Sequence, residues 1–235
     1  MSSRSHRQLL ESIQQETFGY FIHESNPTNG LIKDKTSADS PASIAAVGLA
    51  LAAYPVGIEI GLLRRDEAIQ RTLATLRFFQ QSQQGTQPDA TGYMGFYYHF
   101  LDMDTGRRVW SCELSTVDTA FLLAGMLAAA AYFGGDTSEE REIRDLADEL
   151  YRRVDWDWAL NGGSLLTHGW KPESGFLPYR WEGYDEALLL YTLGLGSPTH
   201  PLPADSYANW TATYAWKNVY GYGVRPTIVV LGRLF

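Results

Sequence analysis

The sequence predicts an all-α fold, a toroid in which outer and inner helices alternate, with small β-hairpins in its long connections. Segments typical of amphipathic helices alternate with segments that are apolar on every side. A surface helix keeps a polar face, so a helix that is apolar all round must be surrounded by other helices. The connections from outer to inner helices are long and rich in aromatic residues. Together these observations predict two layers of helices, with the long loops on one rim.

The predicted outer helices are segments in which apolar residues recur at helical spacing. They cover about residues 5–23, 66–82, 137–154 and 204–216. Thr137, followed three residues later by Glu140, forms a capping box that predicts the start of the third segment.

The predicted inner helices are the segments that are apolar all round. Ser40, followed by a proline, predicts the start of the first, and Pro55 predicts its end. Ser115 and Asp118 form a capping box at the start of the central one, within WSCELSTVDTAFLLAGMLAAAAY. The third starts near Asp185. These starts lie about 70 to 75 residues apart, far above the roughly 34 to 47 residues of common helical solenoids, so a solenoid is disfavoured.

The two longest connections, residues 83–111 and 155–183, have the aromatic density of strands. The turn at Asp104-Thr105-Gly106 predicts a β-hairpin in the first of them. Parallel inner helices place their N-termini on the rim of these loops, and acids precede or begin each helix: Asp34 and Asp39, Glu113 and Asp118, and Glu182 and Glu186. A ring of carboxylates and aromatic rings around a helix-walled mouth is typical of a carbohydrate-cleaving cleft.

Composition and spacing exclude several other functions. A net charge of −8 without a cluster of Lys or Arg argues against binding to nucleic acid. The histidines lack HxxH and HExxH spacing, so we predict no metal and no other cofactor. Cys112 is better explained as a small buried residue than as a nucleophile. The chain as given starts without a signal peptide and contains no apolar run of membrane-spanning length, which predicts a cytoplasmic protein without a membrane partner; a leader lost upstream would indicate a periplasmic or secreted one.

Several segments resemble the glucoamylase-like domain of bacterial glycoside hydrolases, a family that includes endo-β-1,2-glucanases. They are DSPASIAAVGLALAAYPVGIEIG, ELSTVDTAFLLAGML, WEGYDEALLLYTLGLGSPTHPLP and WTATYAWKNVYG. The resemblance covers about residues 5–221. It implies an (α/α)6 toroid, a glycoside hydrolase activity and a glucan partner, with β-1,2-glucan favoured.

By the same resemblance, the glutamate of GYDEA, Glu186, and the acid of VDTAFL, Asp118, line the sugar cleft. Ser115 stands where some relatives carry an aspartate, which leaves Glu113 as the nearby acid. The catalytic candidates are therefore Glu186, as the general acid, with Asp118 and Glu113. The substrate-binding candidates are the other acids and rings of the rim: Asp34, Asp39, His99, Trp110, Trp170, Trp181, Glu182 and Tyr184.

These candidates also have structural explanations. Asp118 serves as a helix cap, and an acid in a first helical turn, as expected for Glu186, is favoured by the helix dipole. Tryptophans in long loops often seal a core. Two functions therefore stay open: a glucan-cleaving glycoside hydrolase, and a non-catalytic or vestigial carbohydrate-binding fragment.

The resemblance ends near residue 221, and a six-pair toroid at about 70 residues per pair needs roughly 400 residues. We therefore expect residues 1–221 to be the N-terminal part of such a domain, an incomplete toroid. Residues 222–235 are expected to be an atypical tail, produced by a frameshift or a misplaced gene end. The isolated chain is expected to be inactive and to self-associate through the exposed half-barrel face.

Overall fold

The structure, a computed structural model, describes residues 6–214 and 217–224. Its helices are α1 (His6–His23), α2 (Ile44–Glu59), α3 (Arg65–Gln81), α4 (Thr116–Tyr132), α5 (Ser138–Arg152), α6 (Leu188–Leu195) and α7 (Ser206–Thr211). Its strands are β1 (Ala42–Ser43), β2 (Gly92–Tyr93), β3 (Phe96–Tyr98), β4 (Phe100–Leu101), β5 (Leu114–Ser115), β6 (Gly169–Lys171), β7 (Gly175–Phe176), β8 (Lys217–Val219) and β9 (Tyr222–Val224). None of the helices in this part of the chain is long and apolar enough to cross a membrane.

The helices form two layers, as the alternation of apolar and amphipathic segments predicts. Helix α4 packs between α2 and α6 in the inner layer. The outer helices lie against this layer: α1 and α3 contact α2, and α5 contacts both α3 and α4. The mostly helical fold is thereby confirmed, whereas its continuation into a toroid stays a prediction.

The two longest inner helices, α2 and α4, approach each other until their backbones touch. A Cβ atom added at Gly125 would collide with the carbonyl oxygen of Gly48, and one added at Gly48 would collide with that of Phe121. Only glycine fits at either position, because any larger residue would force the helices apart. The glycine contact therefore fixes how α4 crosses α2.

The predicted start and end of the first inner helix are wrong. The Ser40 hydroxyl accepts a hydrogen bond from the Lys35 N–H and donates one to the Pro41 carbonyl oxygen, so it does not cap a helix. Strand β1 follows, and α2 begins only after Ser43. Pro55 lies inside α2, which continues to Glu59. Proline removes one helical hydrogen bond. The helix continues across it because Tyr54 and Gly57 are buried on either side of it.

Both predicted capping boxes place their helices correctly. The Ser115 side chain accepts a hydrogen bond from the Asp118 N–H, and that of Thr137 accepts one from the Glu140 N–H. Helix α6 begins at Leu188, later than expected, because the Asp185 carboxylate accepts from the Ala187 N–H in a turn that precedes it. Helix α7 is shorter than the predicted segment, of which residues 215–216 lie outside the described residues.

Each long connection forms a hairpin, and β5 joins the two hairpins into one sheet. The hairpin of the first connection is β2 and β3, joined by Met94 and Gly95, both with positive φ as in a type I′ turn. The predicted turn at Asp104-Thr105-Gly106 is therefore not the turn of this hairpin, and it is flanked by a single bridge between Leu101 and Arg108. Strand β3 continues into an antiparallel sheet of order β2-β3-β5-β6-β7. In it, β5 pairs with β3 at Tyr97 and with β6 at Trp170. Because β5 ends at the N-cap of α4, this sheet fixes the start of the central helix.

Candidate active site

The acid cluster, which we define as His99, Glu113 and Asp118, lies where the sheet meets α4. His99 follows β3, and its N–H donates to the carbonyl oxygen of Glu113, the residue before β5. Its side chain lies between two carboxylates: Nδ1 is 2.9 Å from Glu113 Oε1, and Nε2 is 3.7 Å from Asp118 Oδ2. Glu113 is buried, and the other two side chains are mostly shielded from solvent.

The first turn of α4 holds Asp118 from the other side. Ser115 Oγ donates to Asp118 Oδ2 at 2.5 Å while it accepts from the Asp118 N–H at 3.3 Å. In the predicted capping box, the acid returns a hydrogen bond to the backbone of the cap. Here its carboxylate receives the cap hydroxyl and stays directed toward His99. The helix cap and the candidate catalytic acid are therefore the same side chain.

The three groups have pKa values shifted in different directions. Burial raises the pKa of Asp118 above its ordinary 3.8, although the charge of His99 and the Ser115 hydrogen bond oppose it. Burial also disfavours charge on His99 and Glu113, but their hydrogen bond and mutual charges outweigh it. The pKa of His99 is therefore raised above 6.5, and the pKa of Glu113 is lowered below 4.5. Around pH 5 to 6, His99 and Glu113 form an ion pair beside a carboxyl that is harder to ionise.

Glu186 precedes α6 and is exposed, rather than lying in the first helical turn as expected. Partial burial, followed by the negative charges of Asp118 and Asp185, raises its pKa above the ordinary 4.5. The charge of His99 acts on it as well, in the opposite direction. Glu186 is therefore close enough to the acid cluster for their charges to interact, although its sequence position is distant from theirs.

The predicted aromatic candidates lie in different environments. Trp181 is buried: its ring stacks on His168 at 3.9 Å, and its Nε1 donates to Thr116 Oγ1 at 3.1 Å. Trp170 is half-buried in a cluster of rings that includes Tyr93 at 5.1 Å. Trp110 is 67% exposed. Of the predicted tryptophans, Trp110 thus offers the largest open face.

The remaining predicted candidates lie on the surface. Asp34 and Asp39 are exposed in the loop before α2, and the charge of Asp34 contributes to raising the pKa of His99. Glu182 and Tyr184 are exposed in the loop before α6, where Tyr184 contacts Tyr214 edge to face. Asp34 is thus near the acid cluster, whereas Asp39 lines a groove beside Trp110.

The acid cluster is also the one group of side chains, among the residues that the structure describes, with donor atoms close enough for a metal ion, all within 4.8 Å of one another. Each ring nitrogen of His99, however, faces a carboxylate oxygen. A protonated imidazole satisfies both contacts without a metal ion, since its two nitrogens are then donors. We therefore keep the prediction that the site needs no metal.

Two comparisons with known proteins extend the resemblance. A family model described as "Putative glucoamylase" matches residues 178–235. The chain is 26% identical over 223 residues to an exo β-1,2-glucooligosaccharide sophorohydrolase (non-reducing end) of Parabacteroides distasonis, a match that covers 91% of this chain and 30% of that protein.

Solved structures agree with this. A putative glucoamylase from Bacteroides uniformis superimposes with a TM-score of 0.86 at 26% identity, over 96% of this chain and 56% of that one. A β-1,2-glucanase from Parabacteroides distasonis superimposes with a TM-score of 0.81 at 25% identity, over 92% of this chain and 31% of that one. Over most of its length, the chain is therefore similar to glucoamylase-like proteins. It spans about half of the B. uniformis protein and about a third of the two P. distasonis proteins.

One pairing is absent from the sequence-based prediction, that of His99 with Glu113. The sequence predicts His99 only as a substrate-binding residue and Glu113 only as a catalytic candidate. The missing signal is the pairing of β3 with β5, which joins the end of one long loop to the residues before α4. Had the aromatic run before His99 been aligned against Glu113 as a neighbouring strand, the contact would have been predictable.

Proposed function

We propose that this chain carries the acid and carboxylate machinery of a glycoside hydrolase that acts on glucan, with β-1,2-glucan favoured. The observation that carries the proposal is the proximity of Glu186 to Asp118, each with a raised pKa, at the starts of two neighbouring inner helices. Glycoside hydrolysis uses two carboxyl groups that flank the scissile bond. The preference for β-1,2-glucan rests on the names of the relatives.

Glu186 is the proposed general acid. A carboxyl donates a proton efficiently near neutral pH only if its pKa is raised. Partial burial and the negative charge of Asp118 both act on Glu186 in that direction. Its exposure to solvent supports this role, because a general acid must reach the glycosidic oxygen.

The second role, activation of water, falls to Asp118 or Glu113 in this proposal. Asp118 is the better candidate, because Glu113 is already bound to His99 at 2.9 Å. The positive charge of His99 lowers the pKa of Asp118 against the effect of burial. The charge of His99 therefore favours the ionised form of Asp118, which a general base requires.

We also propose that α2, α4 and α6 are inner helices of an incomplete (α/α)6 toroid, with residues 1–221 as the N-terminal part of the domain. The two-layer packing and the similarity to the B. uniformis structure support this. The proposed tail, residues 222–235, lies outside the described residues from position 225 onward.

The proposal is tested by release of reducing sugar from β-1,2-glucan and from starch. Both the chain as given and a fusion to the C-terminal half of the B. uniformis relative are assayed. We expect turnover of β-1,2-glucan by the fusion, and a loss of about 10² to 10⁴-fold in its kcat with Glu186→Gln. Glu139→Gln, a matched change at an exposed position of α5, is the control and should leave kcat unchanged.

A Glu186→Gln fusion that keeps full turnover would refute the assigned role. Glucan binding without turnover in every form would instead support the second candidate, a non-catalytic carbohydrate-binding protein. The exposed ring of Trp110 is the observation that favours binding on its own, since large apolar rings held in solvent often mark binding sites.

A further inference from the structure

A groove of about 870 Å³ lies outside the acid cluster and Glu186. One wall comes from residues 26–41, which precede α2, and the other from residues 102–110, which follow β4. Sites for small ligands typically have volumes of about 300–1,000 Å³, so the groove has the size of a binding site. Its lining identifies the class of ligand.

Trp110 supplies the aromatic surface of the groove. Its side chain is 67% exposed, and both Trp110 and Ser111 have positive φ, 55° and 49°. Exposure of an indole ring and a left-handed backbone at a residue other than glycine both cost stability. Such unfavourable features persist where they serve a function, and here the exposed Trp110 ring presents a flat apolar face to the groove.

The polar groups of the groove are mainly hydrogen-bond acceptors. The carboxylates of Asp39 and Asp104 line it, and neither has a side-chain partner within residues 6–214 and 217–224. Its lysine, Lys33, is paired with Glu24 at 3.1 Å. A neutral ligand with many hydroxyl groups fits this lining, because it donates hydrogen bonds to carboxylates and packs its C–H face on an indole ring. An anionic ligand does not fit, because it would be repelled.

Two ring contacts connect the side chain of Trp110 to the acid cluster. The Trp110 ring lies 5.3 Å from that of Phe100, and Phe100 stacks on His99 at 3.8 Å. The groove therefore adjoins the acid cluster, with the Phe100 ring between Trp110 and His99.

We propose that the groove beside Trp110 is a subsite that binds glucose units of the glucan remote from the bond being cleaved. This inference rests on the proposed function for the identity of the saccharide. It assigns Trp110, one of the predicted substrate-binding residues, to this subsite, where its role is to bind and not to transfer protons, and it extends the site toward the loop before α2.

The test is calorimetric titration of the 235-residue chain with linear β-1,2-glucan oligosaccharides. Trp110→Ala should weaken binding about tenfold or more, as expected for the loss of an aromatic hot spot. Tyr179→Ala removes a ring that is similarly exposed, at 64%, but does not line the groove, and it should bind as the wild type does.

Trp110→Gly separates binding from folding. Glycine adopts positive φ without strain, so this variant should melt at a temperature at least as high as the wild type while binding as weakly as Trp110→Ala. Wild-type affinity in both Trp110 variants, or no oligosaccharide binding by the wild-type chain, would overturn the inference. If glucan is hydrolysed while both variants bind oligosaccharide as the wild type does, the proposed function stands and the subsite is rejected. Binding that depends on Trp110 in the absence of any turnover would support the subsite and contradict hydrolysis.

Discussion

His99 lies between two carboxylates that differ in character. Its contact with Glu113 is a short, largely buried ion pair, whereas its contact with Asp118 is longer and leaves that carboxyl with a raised pKa. Removing one partner of a buried pair is costly because the other charge stays behind without compensation. At the residue scale, His99 therefore lowers the pKa of Glu113, whereas burial outweighs its effect on the pKa of Asp118.

The ion pair predicts how stability depends on pH. The raised pKa of His99 contributes stability that is complete below 6.5 and is lost as the pH rises through the folded-state value above 6.5. The lowered pKa of Glu113 contributes stability above 4.5 that is lost as the pH falls through its folded-state value below 4.5. His99→Gln should therefore destabilise the protein most between about pH 4.5 and 6.5.

Denaturant unfolding at a series of pH values measures this difference. His200→Gln changes an exposed histidine and provides the control, with no such pH dependence expected. A difference between wild type and His99→Gln that grows above pH 8 would contradict the assignment of the ion pair.

At the scale of elements, the most extensive contact between helices is that of α2 with α4. Gly48 and Gly125 bring the two backbones together, and each helix starts beside the segment that contains β3 and β4. The Ile44 N–H donates to the carbonyl oxygen of His99, so the start of α2 is tied to the acid cluster as well. A displacement of α2 from α4 would therefore reach the site.

Gly125→Ala tests this coupling. The added methyl group would collide with the backbone of Gly48, which cannot move without shifting α2, so overpacking should cost about 1–3 kcal/mol or more of unfolding free energy. Gly134→Ala is the matched control, because the atom nearest to the added methyl group, the carbonyl oxygen of Ala131, would lie at 3.9 Å. Thermal melting monitored by circular dichroism distinguishes the two. Equal melting temperatures for the two variants would show that the helices are not in backbone contact.

At the scale of the whole molecule, two of the inner helices expose large apolar residues. Leu49 and Val56 of α2 and Leu188 of α6 are between 42% and 53% exposed, although they lie on helices that are otherwise apolar. Large apolar residues that are exposed on such helices are candidates for contact with another surface. The sequence-based expectation of self-association therefore stays a proposal, and these residues identify the face involved.

Leu49→Lys together with Val56→Lys should reduce association. Light scattering coupled to size-exclusion chromatography, at increasing concentrations, should show larger species for the wild type than for this variant. Leu9→Lys, at a residue of α1 that is 48% exposed, controls for added charge alone and should behave as the wild type does. A wild-type chain that stays monomeric at every concentration would reject the proposal.

The sequence predicts local features well and long-range ones poorly. Ser115 and Thr137 cap their helices because a capping box involves residues only three apart. Pro55 misleads, because burial of its neighbours, which no local pattern reveals, outweighs one lost hydrogen bond. The partnership of His99 and Glu113 depends on strand register across an irregular loop, and register is set by tertiary structure.

Strand β5 is only two residues long, yet it pairs with two strands that lie far from each other in the sequence. Strand β3 lies shortly before β5, whereas β6 follows α5. Pairings between residues far apart in sequence form slowly, because the intervening loop must close before any contact repays the lost entropy. Helices α4 and α5 are short-range structures that form without waiting for that closure. We therefore expect the site to assemble late in folding, after most of the helical signal has appeared, when β6 adds to β5 and the chain on both sides of the acid cluster is held in place.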